Sequence, residues 1–212
     1  MSALTVIRKP LRYSFFNATL YLIAANILFF ALGYTFPLVK VYMALNPAAV
    51  LSGYLWQIIT YMFAHADISH LLINMLGLFI FGTAVERSMG SREFLLFYLL
   101  TGTLAGIASL GIYVATGSWY TMLLGASGAV YALLLAFAVL NPEARIFLYG
   151  ILPVRAPVLV LGYAGIEIAS QLFSFRSSVA HLTHLAGFFW SWLYFLVRFG
   201  INPAKRLFKS RH

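Results

Sequence analysis

Scattered through long apolar stretches of this chain stand a few polar side chains: His70, Asn74, Ser127, Tyr131, Glu167, His181, Thr183 and His184. Ser127 and His184 are the types that perform acyl transfer. A serine hydroxyl is a poor nucleophile until a base removes its proton, and a neutral imidazole is the usual base. Splitting an amide also requires donors for the oxyanion that develops. His70 and Asn74 stand four residues apart, so they share one helical face, and both can donate. Ser127 lies between Gly125 and Gly128, whose small size opens the hydroxyl to another chain and leaves the serine N–H accessible. The chain has no cysteine, which excludes a thiolate nucleophile, a thiolate metal site and a disulfide framework.

The elements that must position these groups follow from composition. The chain has 212 residues, 62% of them hydrophobic and 9% charged, with mean hydropathy +0.90. A soluble domain carries roughly 25% charged residues. A water-exposed surface cannot be built from so few, so lipid is the solvent. In lipid only helices and closed barrels satisfy the backbone. The apolar runs are continuous rather than alternating, which selects helices. The fold expected is therefore an all-α membrane protein.

Six runs approach the roughly 20 residues that cross a bilayer: Phe15–Phe36, Ile68–Val85, Phe94–Ala115, Met122–Leu140, Ala156–Phe173 and Val179–Val197. Glu167 is the one Asp, Glu, Lys or Arg inside any of them. The division expected is an N-terminal segment over 1–14, a six-span catalytic domain over 15–197 and a basic tail over 198–212. No signal-peptide cleavage pattern accompanies the first run, which is long enough to stay as a span. The connection from Pro37 to Ala66 is long, aromatic and nearly uncharged, so it is expected to lie partly in the interface. With six spans, 12 of the 14 basic residues fall on the side of the termini; Lys40 and Arg176 fall on the other. The positive-inside rule then places both termini in the cytoplasm. The basic tail can also meet anionic membrane lipids.

Counting residues from each cytoplasmic end gives depth. Ser127 is fourteen residues above Asn141 and His184 fourteen above Arg198, so both sit about 21 Å up a 30 Å core. His70 and Asn74, counted from Glu86, come to roughly 24 and 18 Å. Four polar side chains thus share one level in the outer leaflet. Gly187 and Ser191 follow His184 on one helical face, and Gly128, Ala132 and Ala136 match them on the fourth span. Small residues on both faces permit the close backbone approach that a serine–histidine bond would require.

Each feature has a plain structural counterpart. A serine between glycines packs helices; Tyr131, one turn from Ser127, packs; His181 hydrogen-bonds a neighbour; Asp67 caps the second span. Glu167 bonds a neighbouring helix, and would be protonated in a dry setting. A zinc site drawn from His65, His70, His181 and His184 is the rival chemistry. The sequence shows no H-E-x-x-H, and Asp67, the acid beside His65 and His70 in the chain, is read as a cap and not as a ligand. A transporter is the other rival, but interrupted helices and repeats of the transporter kind are not evident.

The motifs themselves add a resemblance. GASGAVYALL at Gly125–Leu134 resembles the nucleophile motif of the rhomboid family, AHLTHLAG at Ala180–Gly187 its last catalytic span, and HLLIN at His70–Asn74 its H-x-x-x-N element. FGTAVERSMGS at Phe81–Ser91 is similar to the family's cytoplasmic end of that span. The resemblance implies a compact six-span intramembrane serine endopeptidase of a bacterial or archaeal cell membrane. In it Ser127 is the nucleophile, His184 the base without a third orienting side chain, and His70 and Asn74 the oxyanion donors. Gly125, Gly128, Tyr131, His181 and Gly187 are supporting. Glu86, Arg87 and His65 would be structural. It implies no cofactor, metal or nucleic acid, and as partners the transmembrane helices of membrane-protein substrates. The alternative is a catalytically inactive rhomboid-like chaperone or binding protein. Two positions depart: Gln57 stands where the family often has arginine after tryptophan, and Ser191 where it has glycine.

Overall fold

A computed structural model of the chain describes residues 8–148, 151–173 and 178–208. Arg176, Lys209 and Arg211 of the charge argument lie outside the described residues. Helix α1 (Ala18–Thr35) leads into three short helices of the first connection, α2 (Pro37–Met43), α3 (Pro47–Leu51) and α4 (Gln57–Thr60). Then come α5 (Ile68–Met89), α6 (Ser91–Ala115) and α7 (Ser127–Leu140). A hairpin of β1 (Arg145–Leu148) and β2 (Leu152–Arg155) precedes α8 (Ala156–Phe173), α9 (Ser178–Tyr194) and α10 (Pro203–Leu207). The architecture is the expected all-α membrane bundle. Helices α1, α5, α6 and α8 are each long and apolar enough to cross a membrane.

Caps set several of these boundaries. Asp67, in an extended conformation, accepts from the His70 N–H at 2.8 Å and starts α5 as the sequence suggested. Asn46 accepts from Ala49 N–H at 3.0 Å and starts α3, with Pro47 at its first position. Helix α5 passes through a π turn at Leu78–Gly82, and a second π turn, Phe195–Phe199, continues α9.

The outward faces are apolar. Helix α5 turns Leu72, Ile73, Leu76 and Phe79 out while burying Leu71, Asn74, Met75 and Leu78. In water such a surface would be untenable; in lipid it is the expected one. Helix α7 differs, with buried residues on all its faces from Gly128 to Val139. A helix apolar on every side belongs in the centre. Helices α6, α8 and α9 and the π turn of α5 surround it.

Two expectations are corrected. The fourth span was drawn from Met122, but the helix begins at Ser127. Leu45 and Leu123 exchange two backbone hydrogen bonds of 2.9 Å, and Gly125 N–H reaches Tyr61 O at 3.0 Å. These pairings satisfy the backbone of an apolar stretch without a helix, a distinction hydropathy cannot make. The hairpin between α7 and α8 was also unforeseen.

Buried carboxylates tie the other end of the bundle. Glu86 accepts from Ala18 N–H (2.6 Å), Thr19 N–H (2.9 Å), the Thr19 hydroxyl (2.7 Å) and the Ser91 hydroxyl. It thereby caps α1 from another helix, which explains why α1 starts without a cap of its own. Glu93 receives Arg198 Nε at 2.7 Å and Nη2 at 2.9 Å, the Tyr194 hydroxyl at 2.5 Å and Leu11 N–H at 2.7 Å. Arg87 is exposed, and its carbonyl accepts from Tyr13. Each buried donor left unpaired costs about 1–3 kcal/mol. Glu86→Ala is therefore expected to destabilise the protein by about 3 kcal/mol or more. Thermal unfolding in detergent is the check, and an unchanged midpoint would contradict this role.

Candidate active site

Ser127 is the first residue of α7. The first intrahelical acceptance there is Val130 N–H on Ala126 O, at 3.0 Å. The N–H groups of Ser127, Gly128 and Ala129 therefore lack an acceptor within the helix. They carry the positive end of the helix dipole to the place where an oxyanion would form. Gly125 has φ +112°, which L side chains rarely adopt, and a Cβ there would collide with the His70 ring. One glycine thus gives both the turn into α7 and the close approach of His70.

Helix α9 brings His184 to this point. Its Nε2 lies 2.8 Å from Ser127 Oγ. The approach depends on the small residues singled out in the sequence: a Cβ on Gly187 would collide with the carbonyl of Gly128. Ser191, in place of the family's glycine, is fully buried and donates to Ala132 O at 2.9 Å. That departure therefore adds a tie between α7 and α9. The Thr183 and Ser109 hydroxyls, 2.6 Å apart, join α9 to α6.

The other face of His184 is equally defined. The Tyr131 ring stacks on it, with centroids 4.2 Å apart and planes 8° from parallel. Nδ1 lies 2.9 Å from Glu167 Oε1, and His181 Nδ1 lies 2.5 Å from Glu167 Oε2. The Tyr131 hydroxyl also donates to Oε1. One expectation falls here: the base does have a third side chain against it, since Glu167 lies within hydrogen-bond distance of both imidazoles and the Tyr131 hydroxyl. Tyr131 and His181 belong to the same cluster. A signal for Glu167 existed: counted from Ala156, it lies eleven residues up α8, or about 17 Å, within one turn of the base.

Glu167 brings a carboxylate to two of the four histidines in space. Glu167, His181 and His184 have ligand atoms within 4.8 Å of one another. Two ligands on a tetrahedral zinc stand about 3.3 Å apart, given bonds of roughly 2.0–2.1 Å. The N···O separations of 2.5 and 2.9 Å are shorter than that, as those of directly hydrogen-bonded groups are. The four-histidine set is not one cluster. His65 is fully buried edge-on to His70, with centroids 5.2 Å apart. Burial first, then His70, pushes the His65 pKa down to about 4, so it stays neutral.

Asn74 is buried one turn below His70 and donates to the His70 carbonyl at 2.8 Å. The first connection is anchored by Gln57, whose Oε1 accepts from Asn46 N–H at 3.0 Å and whose Nε2 donates to Tyr42 O at 3.2 Å. Glutamine therefore fixes the loop by itself where the family often has arginine. Trp56 adds a bond from Nε1 to Tyr42 O at 2.9 Å.

Comparison with known proteins covers the part of the chain that holds these residues. The family model of the Rhomboid domain matches residues 52–201, from the first connection through α9. The chain belongs to the rhomboid family. It is 35% identical over 150 residues to RHOMBOID-like protein 12, mitochondrial, of Arabidopsis thaliana, covering 64% of this chain and 44% of that one. It is 39% identical over 84 residues to Putative rhomboid protease YdcA of Bacillus subtilis, 40% of each. With the mouse Presenilin-associated rhomboid-like protein, mitochondrial, it shares 30% identity over 178 residues, covering 78% of this chain and 44% of that one. The chain thus spans less than half the length of these relatives. As a rhomboid with lipid-facing helices it is an integral membrane protein, and the family supports an intramembrane protease or rhomboid-like function. Its similarity extends to mitochondrial as well as bacterial proteins, broader than the bacterial or archaeal setting first expected.

Proposed function

We propose that this rhomboid is an intramembrane serine endopeptidase that cleaves transmembrane segments of membrane proteins. The observation that carries the proposal is the 2.8 Å approach of His184 Nε2 to Ser127 Oγ. In this reading Oγ attacks the scissile carbonyl carbon as its proton passes to Nε2. The resulting oxyanion is held by the Ser127 N–H, the His70 imidazole and the second N–H of Asn74. Collapse expels the amine, which takes the proton from Nε2, and leaves an acyl ester on Oγ. A water molecule then gives a proton to Nε2 and attacks the ester. Release of the acid returns the proton to Oγ.

The approach of His184 to Ser127, with the His70 ring packed over Gly125, supports this reading over the catalytically inactive alternative. Hydrolysis requires water at this site, and the partial exposure of His184 and His181 suits its entry. The His184 and His181 side chains are 18% and 23% exposed, while Glu167 behind them is 5% exposed. Both termini are proposed to be cytoplasmic, which opens the site to the outer side. A substrate helix must unwind to present an extended peptide, and it does so most readily near its own outer end. Glycine or proline there lowers the cost, glycine by up to about 1 kcal/mol relative to alanine. The glycine-lined approach to Ser127 suits a small side chain just before the cut.

The test uses a single-span substrate in liposomes, with products mapped by mass spectrometry. Cleavage is expected in the outer part of the span or just outside it, after a small residue. Replacing its helix-weakening residues by leucine should slow the reaction. A cut in the cytoplasmic half would contradict this placement.

A further inference from the structure

Resting on the reading of Ser127 and His184 as nucleophile and base, we infer that Glu167 is a positioning residue that fixes the tautomer and orientation of the base. The carboxylate has His184 Nδ1 and the Tyr131 hydroxyl on Oε1, and His181 Nδ1 on Oε2. An ionised carboxylate only accepts, so each of these groups must donate. The proton of neutral His184 therefore sits on Nδ1. That leaves the Nε2 lone pair facing Ser127 Oγ, as a general base requires. Tyr131 and His181 hold the carboxylate at both oxygens, and the Tyr131 ring fixes the plane of the imidazole. Glu167 is also close enough to stabilise the imidazolium formed during attack, in a place largely shut off from water.

The groups facing His184 are His70 from α5, Ser127 and Tyr131 from α7, Glu167 from α8 and His181 from its own helix. From α6, Ser109 meets Thr183 beside it. Among the described residues Glu167 is the only carboxylate in that set, so removing its charge has a definite sign. With glutamine the imidazolium formed during attack loses its counter-charge. The glutamine amide also cannot accept from both histidines at once.

The experiment compares wild type, Glu167→Gln, Glu167→Asp and Ser127→Ala, purified in detergent, by kcat and KM across pH and by thermal unfolding. For Glu167→Gln, kcat is expected to fall about 10- to 100-fold, part of the 10²–10⁴ a general base supplies. KM should stay within about threefold, and the acid limb of kcat/KM should move to lower pH. Glu167→Asp keeps the charge, so its limb should stay at the wild-type position while kcat recovers part of the loss. Wild-type kcat and an unmoved limb in Glu167→Gln would overturn the inference. So would a lower unfolding temperature with an unmoved limb, which marks a purely structural tie. Activity surviving in Ser127→Ala would instead overturn the underlying assignment of nucleophile and base.

Discussion

Ser127→Ala and His184→Ala are each expected to lower turnover of a single-span substrate by about 10⁴-fold or more, the scale on which serine hydrolases depend on these groups. The nucleophile and base act as one unit, so the double variant should lose no more than either single one. Both side chains are partly exposed and neither is a buried prop of the bundle. The variants should therefore unfold near the wild-type temperature. This separates the prediction from that for Glu86, where a buried carboxylate holds four donors and the expected loss is in stability. Turnover of either active-site variant at the wild-type rate would exclude the pairing of Ser127 with His184.

The second large effect concerns the oxyanion. His70→Ala and Asn74→Ala are each expected to reduce kcat by about 10²–10³-fold, or about 2.7–4 kcal/mol of transition-state stabilisation. KM should change little, because the oxyanion exists only after attack. His70 has a second duty, since its ring fills the space over Gly125 and meets His65. Its alanine variant should therefore also lose some stability. Asn74→Ala deletes a donor and its bond to the His70 carbonyl from inside a helix whose backbone stays paired. It is the cleaner probe of the two. Unaltered kinetics in both would mean that the oxyanion is held without these two side chains, by the N–H groups at the start of α7 or by other donors.

Much of this arrangement was legible in the residues. Depth counting put Ser127 and His184 at one level because both lie on apolar helices with recognisable cytoplasmic ends. The small residues at Gly128, Ala132, Gly187 and Ser191 marked the seam where two helices could meet, and the structure joins α7 and α9 there. Asp67 read as a cap because an aspartate directly before an apolar run has few other uses. What escaped depended on contacts distant in sequence. Met122–Leu124 is as apolar as a helix, and the pairing of Leu123 with Leu45 and of Gly125 with Tyr61 holds it out of one. Glu167 was visible as the lone acid in a span. Its meaning came from two histidines and a tyrosine on other helices, whose directions no depth count supplies. Gln57 likewise became an anchor only once the carbonyl of Tyr42 and the N–H of Asn46 stood around it.

The activation of Ser127 by His184 is tested most directly by a fluorophosphonate, which reacts with an activated serine hydroxyl and needs no knowledge of the natural substrate. The purified protein is labelled in detergent, digested and mapped by mass spectrometry, beside its Ser127→Ala and His184→Ala variants. The account predicts an adduct on Ser127 in the wild type, none at that position in Ser127→Ala, and labelling of His184→Ala reduced by at least about 10²-fold, the share a general base contributes. An adduct on another serine, or full labelling of Ser127 without His184, would contradict it.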